Sequence, residues 1–300
     1  MSFEKQFVDA KDSYKLSVRV YDVNEPKAVI KFIHGMEEHQ GRYEAFASFL
    51  QENGYAVITA DMRGHGEDAP LLSHIADKDG HKLLIEDEQT LIEFAKEKYP
   101  NVPLYLFGHS MGTIIARKLL QTNSNDFMKV ALSGYPNPQG IASVGSALAN
   151  IIALFKGEKG HSKLVNNMVI GGFAKAVENA KTPIDWLSYN EENVQKYADD
   201  PLSGVEFTLG SYDALFHLVA DINSPKQYKD VKADLPIYLI SGVDDPCTGG
   251  EKGRADSLDR LTKAGFTNIE VKTLDHMRHE ILNETNKEET YQLLLDFFNK

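Results

Sequence analysis

Three hundred residues, 42% of them hydrophobic and 25% charged, suit one large domain with a sizeable core, or a core domain carrying an insert. A formal net charge of −12 leaves no basic stripe to neutralise phosphates. That excludes a nucleic-acid binder and opposes standing attachment to an anionic membrane. The N-terminal MSFEKQFVDAKDSYKL is charged throughout, without the apolar stretch of a secretory signal, and the single cysteine, Cys247, excludes an intrachain disulfide. Both point to the reducing cytoplasm.

In chain order, KLSVRVY (15–21) and AVIKFIH (28–34) read as strands and YEAFASFLQENG (43–54) as a helix stopped by Gly54. YAVITAD (55–61) is a strand, and KLLIEDEQTLIEFAKEKYP (82–100) an acidic amphipathic helix ended by Pro100. LYLFG (104–108) is a strand that runs into the helix IIARKLLQ, and KVALSG (129–134) is a strand again. From Tyr135 to Gln227 no strand is legible; the apolar window GIASVGSALANIIALF (140–155) is too short to span a bilayer and reads as a buried helix. The alternation resumes with LPIYLISG (235–242) as strand, SLDRLTKAG as helix, NIEVKTL (268–274) as strand and a closing helix at 285–299, with Thr285 and Glu288 as its capping box. Runs apolar on both faces, alternating with helices, predict a mostly parallel sheet covered on both sides. The expected division is an α/β core, 1–134 and 228–300, with a helical insert over 135–227.

The chemistry-bearing stretch is GHSMG (108–112). Five letters of this kind arise by chance, but here they lie between an apolar strand and an amphipathic helix, the strand–turn–helix setting of a nucleophile elbow. Ser110 would stand above the carboxyl edge of the sheet, where α/β proteins place ligands. A serine hydroxyl needs a histidine to take its proton and a carboxylate to orient that histidine, in the chain order Ser, Asp or Glu, His. Asp244 and Asp245 follow one late strand; His276 and His279 follow the next. With no HExxH pattern, Cys/His cluster, GxGxxG after an early strand or P-loop, no metal or nucleotide cofactor is expected.

HGMEEHQGRY (34–43), DMRGHG (61–66), GHSMG (108–112), SGVDDPCTGGEKG (241–253) and RHEILNE (278–284) together resemble the α/β-hydrolases of the monoacylglycerol lipase and lysophospholipase group, the serine aminopeptidase-like hydrolases. The resemblance implies the α/β-hydrolase fold, an eight-stranded, mostly parallel sheet with a helical cap over the nucleophile. It selects Asp245, three residues after Gly242, as the acid and His279 as the base, leaving Asp244 and His276 as neighbours. It assigns the oxyanion donors to the backbone N–H groups of Met36 and Met111. One departure stands out: the family commonly reads HGxGEH, whereas this chain carries Glu37 in place of a glycine. If that position needs a positive φ, Glu37 strains the loop. Asp61, Arg63 and His65 read as a polar cluster fixing that loop, and Cys247 as a buried small residue near the acid.

The function implied is a cytoplasmic serine hydrolase of carboxylic esters, of the monoacylglycerol or lysophospholipid type, working through an acyl-enzyme. The rivals are a small-ester carboxylesterase, a thioesterase, an aminopeptidase and a non-catalytic ligand binder. A peptidase would turn cap carboxylates toward the nucleophile, with Glu178, Asp185, Glu191 and Glu192 as candidates. The window at 140–155 would wall an acyl channel or pack on other cap helices, and Tyr212 and Phe216 are expected to face the pocket.

Overall fold

The structure, a computed structural model, describes residues 2–137 and 142–300. Its strands are β1 (Glu4–Asp9), β2 (Lys15–Tyr21), β3 (Val29–Ile33), β4 (Ala56–Ala60), β5 (Leu104–His109), β6 (Lys129–Ser133), β7 (Ile237–Gly242) and β8 (Ile269–Leu274). They form one sheet in the order β1-β2-β4-β3-β5-β6-β7-β8. β1 pairs antiparallel with β2 and β2 with β4, and every later pairing is parallel. β3, β4 and β7 are buried at every position, as strands covered on both faces must be. This is the α/β-hydrolase fold.

β1 is the strand that periodicity did not reveal. None of its side chains is fully buried, so the backbone ladder to β2, from Glu4 opposite Val20 to Asp9 opposite Lys15, holds it in place. Charges along such an edge discourage further pairing.

The helices are α1 (Glu44–Glu52), α2 (Gly80–Lys98), α3 (Met111–Asn123), α4 (Ala142–Lys156), α5 (Lys163–Val169), α6 (Glu191–Asp199), α7 (Leu209–Ile222), α8 (Gly250–Ala264) and α9 (Lys287–Asn299). On one face of the sheet, Phe46 and Leu50 of α1 and Leu294 and Phe298 of α9 pack with Phe32, Phe107 and Ile240. On the other, Leu91 of α2, Leu119 of α3 and Leu261 of α8 pack with Leu106, Val130 and Leu239. That second core continues into Ala149 of α4, Val165 of α5 and Leu218 of α7, so the segment between β6 and β7 is anchored on the α2/α3 side.

Two expectations need correction. α9 begins at Lys287 behind Asn286, with no side-chain cap bond, so Thr285 and Glu288 form no capping box. Instead Glu288 and Glu289 place negative charge in the first turn, where the helix end is positive. The window 140–155 becomes α4, with Gly140 and Ile141 outside the described residues. Only one side of α4 is buried: Ala149 and Ala153 face inward, whereas Val144, Ile151, Leu154 and Phe155 are exposed. Among the described residues no helix is long and apolar enough to cross a membrane.

Candidate active site

Ser110 stands between β5 and α3 at φ 52°, ψ −122°, a conformation unfavourable for a residue with a side chain. The turn is held from both sides: Ser110 N–H donates to Ser133 O at 3.0 Å, and Ser110 O accepts from Thr113 N and Oγ1, both at 2.8 Å. A Cβ on Gly112 would lie 2.1 Å from Ile33 O, and one on Gly108 2.8 Å from Gly112 O. Only glycine lets the helix start so close to the neighbouring strand.

The loops after β7 and β8 bring Asp245 and His279 together. His279 Nδ1 lies 3.0 Å from Asp245 Oδ2, and both residues are buried. The other oxygen, Oδ1, accepts from Cys247 N–H at 2.8 Å, which fixes the carboxylate plane. The alternatives lie elsewhere. Asp244 is exposed and accepts from Tyr189 Oη at 3.0 Å, and His276 stacks on Tyr189 with centroids 4.2 Å apart. The His279 ring sits between His109 and Trp186, at 4.7 and 5.0 Å between centroids. Ser110 and His279 line one cavity of about 690 Å³, without a hydrogen bond between them, a common condition before substrate tightens the geometry.

The loop after β3 supplies the second wall. The N–H groups of Met36 and Met111 have no acceptor among the described residues, and both residues line the cavity beside Ser110. His34 braces this loop: its Nδ1 pairs with Gly35 O at 2.7 Å and its Nε2 accepts from Met62 N–H at 3.0 Å. Burial holds its pKa well below the usual histidine range, so it serves as a neutral bridge. Glu37 does take a positive φ, 57°, as its replacement of a glycine implied.

DMRGHG acts as a brace. Asp61 accepts from Gln40 N and Nε2, each at 2.8 Å, and Arg63 grips Asp87 through two bonds of 2.7 Å. His65 packs edge-on against His34 at 5.0 Å between centroids, and burial pushes its pKa down to about 4. Asp61, Arg63 and His65 are all absent from the cavity wall.

A buried charge network behind the cavity escaped the reading of the sequence. Glu38 Oε1 accepts from Gly35 N–H and from Tyr43 Oη. Arg42 donates to both oxygens of Glu280, to Glu38 and, at 3.1 Å, to Asn193 of α6. Tyr197 covers the guanidinium at 4.8 Å. One cation thus joins the loop after β3, the residue next to His279 and the segment between β6 and β7. The i, i+4 spacing of Glu38 and Arg42 was the available signal; the Glu280 partner was not readable, since it lies 238 residues away.

The rest of the wall also departs from expectation. No described residue of α4 lines the cavity; the wall runs instead through Asn166–Ala174 and Leu215, Phe216 and Val219. Phe216 faces the pocket as expected. Tyr212 does not: it is buried and donates to Asn166 Oδ1 at 2.6 Å. Cys247 is both buried and on the wall, and burial with Asp245 beside it pushes the thiol well above its ordinary pKa. Its sulfur, an Asp245 oxygen and a His279 nitrogen lie within 4.8 Å of one another, a cluster invisible in sequence spacing. The thiol stays protonated, and Asp245 and His279 bond each other, which is a poor donor set for a cation. Glu178, Asp185, Glu191 and Glu192 are not on the wall, whereas Glu206 is.

A profile of the family described as serine aminopeptidase, S33, matches residues 24–286. The monoacylglycerol lipase of Mycolicibacterium smegmatis is 29% identical over 285 residues, covering 92% of this chain and 90% of that protein. The human monoglyceride lipase is 27% identical over 274 residues, covering 87% and 82%. A crystal structure of a thermostable carboxyl esterase from Bacillus coagulans superposes with a TM-score of 0.91 at 26% identity, covering 100% of this chain and 98% of that one. The chain belongs to the serine aminopeptidase S33 family of α/β-hydrolases.

Proposed function

We propose that the protein is a serine hydrolase that cleaves carboxylic esters of monoacylglycerol or lysophospholipid type, with Ser110, Asp245 and His279 as its triad. The reading rests above all on the buried 3.0 Å contact between Asp245 Oδ2 and Nδ1 of His279, which lines the cavity together with Ser110. With Nδ1 held by Asp245, His279 presents Nε2 to the serine. Nε2 takes the proton as Oγ attacks the ester carbonyl, the N–H groups of Met36 and Met111 receive the developing oxyanion, and Nε2 returns the proton to the leaving alcohol. Water, activated by the same imidazole, then releases the acid. The segment 135–227 serves as the cap, with 1–134 and 228–300 as the core.

A lipid-sized substrate is supported by the apolar wall of Met168, Val169, Ile170, Phe173, Leu215 and Phe216. It is supported too by the exposed apolar face of α4, Ile151, Leu154 and Phe155, an outer surface suited to meeting aggregated lipid. The resemblance to the Bacillus coagulans esterase favours a small-ester carboxylesterase as the second reading. None of the four carboxylates named for a peptidase is on the cavity wall, and Glu191 and Glu192 pair with Lys181 and Lys196 on the surface, although Glu206 of the same segment is on it. Hydrolysis of p-nitrophenyl esters from acetate to palmitate, with Ser110→Ala as blank, separates the two: the lipid reading predicts a maximum at medium or long chains, and a maximum at acetate sinks it. The single buried, unpaired Cys247 supports a cytoplasmic location.

The pH profile is a further expectation. Burial alone would lower the pKa of His279, but the charge and hydrogen bond of Asp245, with Glu280 and Glu38 nearby, raise it above the ordinary value of 6.5. The base must be neutral, so kcat/KM is expected to rise with pH along a limb centred above 6.5. The stabilising charged pair is fully present below the unfolded-state pKa and is lost as pH rises through the folded one. Its contribution to Tm therefore falls where activity rises. A limb centred below pH 6 in the rate profile would contradict this assignment.

A further inference from the structure

The cavity wall carries four carboxyl groups, Glu37, Glu38, Glu206 and Glu280, and among the described residues no lysine or arginine lines it. Two of the four are compensated, because Arg42 lies against Glu38 and Glu280. Among the described residues Glu37 and Glu206 have no such cation. Glu37 is only 7% exposed; its Oε1 accepts one long bond, 3.3 Å, from Phe207 N–H, and its Oε2 has no donor among the described residues. Among the described residues Glu206 Oε1 is likewise buried without a partner.

The backbone fixes the position of Glu37. Its carbonyl accepts from Gly204 N–H at 2.8 Å and from Tyr197 Oη at 2.9 Å, so the residue is clamped between the loop that bears Met36 and the stretch leading into α7. A side chain held at a positive φ, one residue from an oxyanion donor, carries a conformational cost that a glycine would not. A buried carboxylate short of donors favours a ligand that supplies positive charge.

We propose that Glu37, with Glu206 beside it, forms a subsite for a positively charged group, and that the pocket selects an ammonium-bearing ester over its neutral isostere. The inference rests on the ester-hydrolase reading above. The remaining groups around the site do not neutralise it: Tyr197 and Tyr212 are phenols, and Arg42 is held beneath Tyr197 by its two glutamates. Burial, with Glu206 adding to it, pushes the Glu37 carboxyl up to about 7. A bound cation would favour its ionised form.

The test compares butyrylcholine with 3,3-dimethylbutyl butyrate, alike in shape and different in charge, alongside p-nitrophenyl butyrate. Wild-type protein is expected to favour the choline ester in kcat/KM by roughly tenfold, the scale of one charge–charge contact in a partly buried site, since a quaternary ammonium has no N–H to donate. The ratio should fall to near one in Glu37→Gln and in Glu37→Gly, the latter relieving the strained φ and so guarding against misfolding. Because the readout is a ratio within one enzyme, a general loss of rate in a variant cancels. A wild-type ratio near one with brisk p-nitrophenyl butyrate turnover, or a ratio that persists in both variants, overturns the subsite alone. Failure to turn over any of the three esters overturns the ester-hydrolase reading and the subsite with it.

Discussion

Asp245→Asn is expected to lower kcat by about 10⁴-fold while the far-ultraviolet spectrum and melting curve stay close to wild type. The magnitude follows from how the carboxylate is held. Cys247 N–H is a fixed backbone donor on Oδ1, and His279 Nδ1 lies on Oδ2. An asparagine can keep only one acceptor oxygen, and the immobile backbone N–H claims it. The amide NH₂ is then turned toward His279, which makes Nδ1 an acceptor and leaves the proton on Nε2. A histidine in that tautomer donates toward Ser110 and cannot take its proton. The measurement is kcat/KM on p-nitrophenyl butyrate against pH. A loss of less than tenfold would show that Asp245 does not set the His279 tautomer.

Arg42→Leu is expected to destabilise the protein by about 3–5 kcal/mol, because it strands two buried carboxylates, and to lower Tm by roughly 10 °C. Burial opposes the Glu280 charge, yet Arg42 and Asn193 bring its pKa down to about 2. That carboxylate therefore stabilises the fold above its unfolded-state pKa, and the contribution drains away as pH falls toward about 2. Glu38, left without Arg42, would take up a proton, and its bond to Gly35 N–H next to Met36 would loosen. Activity should then fall in the part of the protein that still folds. Arg42→Lys keeps the charge but not the planar fork and should lie between the two. Thermal melts of the three proteins check the order; a wild-type Tm in Arg42→Leu would show that the network carries no stability.

What could be read in the residues, and what could not, divides along physical lines. The elbow is local: an apolar strand, a serine between glycines and an amphipathic helix are contiguous, and Gly108 is required by a contact that its own turn creates. Asp245 and His279 were reachable through chain order and family resemblance, but the choice against Asp244 and His276 depends on which side chain turns inward, and that is decided by Tyr189, which holds both alternatives at the surface. β1 escaped because its pairing is made by backbone and its side chains gain little burial. α4 misled because alanine, isoleucine and leucine recur around it, so composition could not tell the buried side from the exposed one. The Arg42 network and the clustering of Cys247 with the Asp245–His279 pair are products of topology, joining loops far apart in sequence.

Whether Ser110 is an activated nucleophile is tested most directly by labelling the native protein with a fluorophosphonate, read by intact mass and peptide mapping. One adduct per chain is expected, located on Ser110 and formed in parallel with loss of esterase activity. No adduct is expected in Ser110→Ala or in the acid-denatured protein. Adduct on another residue, or native protein that remains unlabelled while folded, would contradict the assignment of Ser110 as an activated nucleophile.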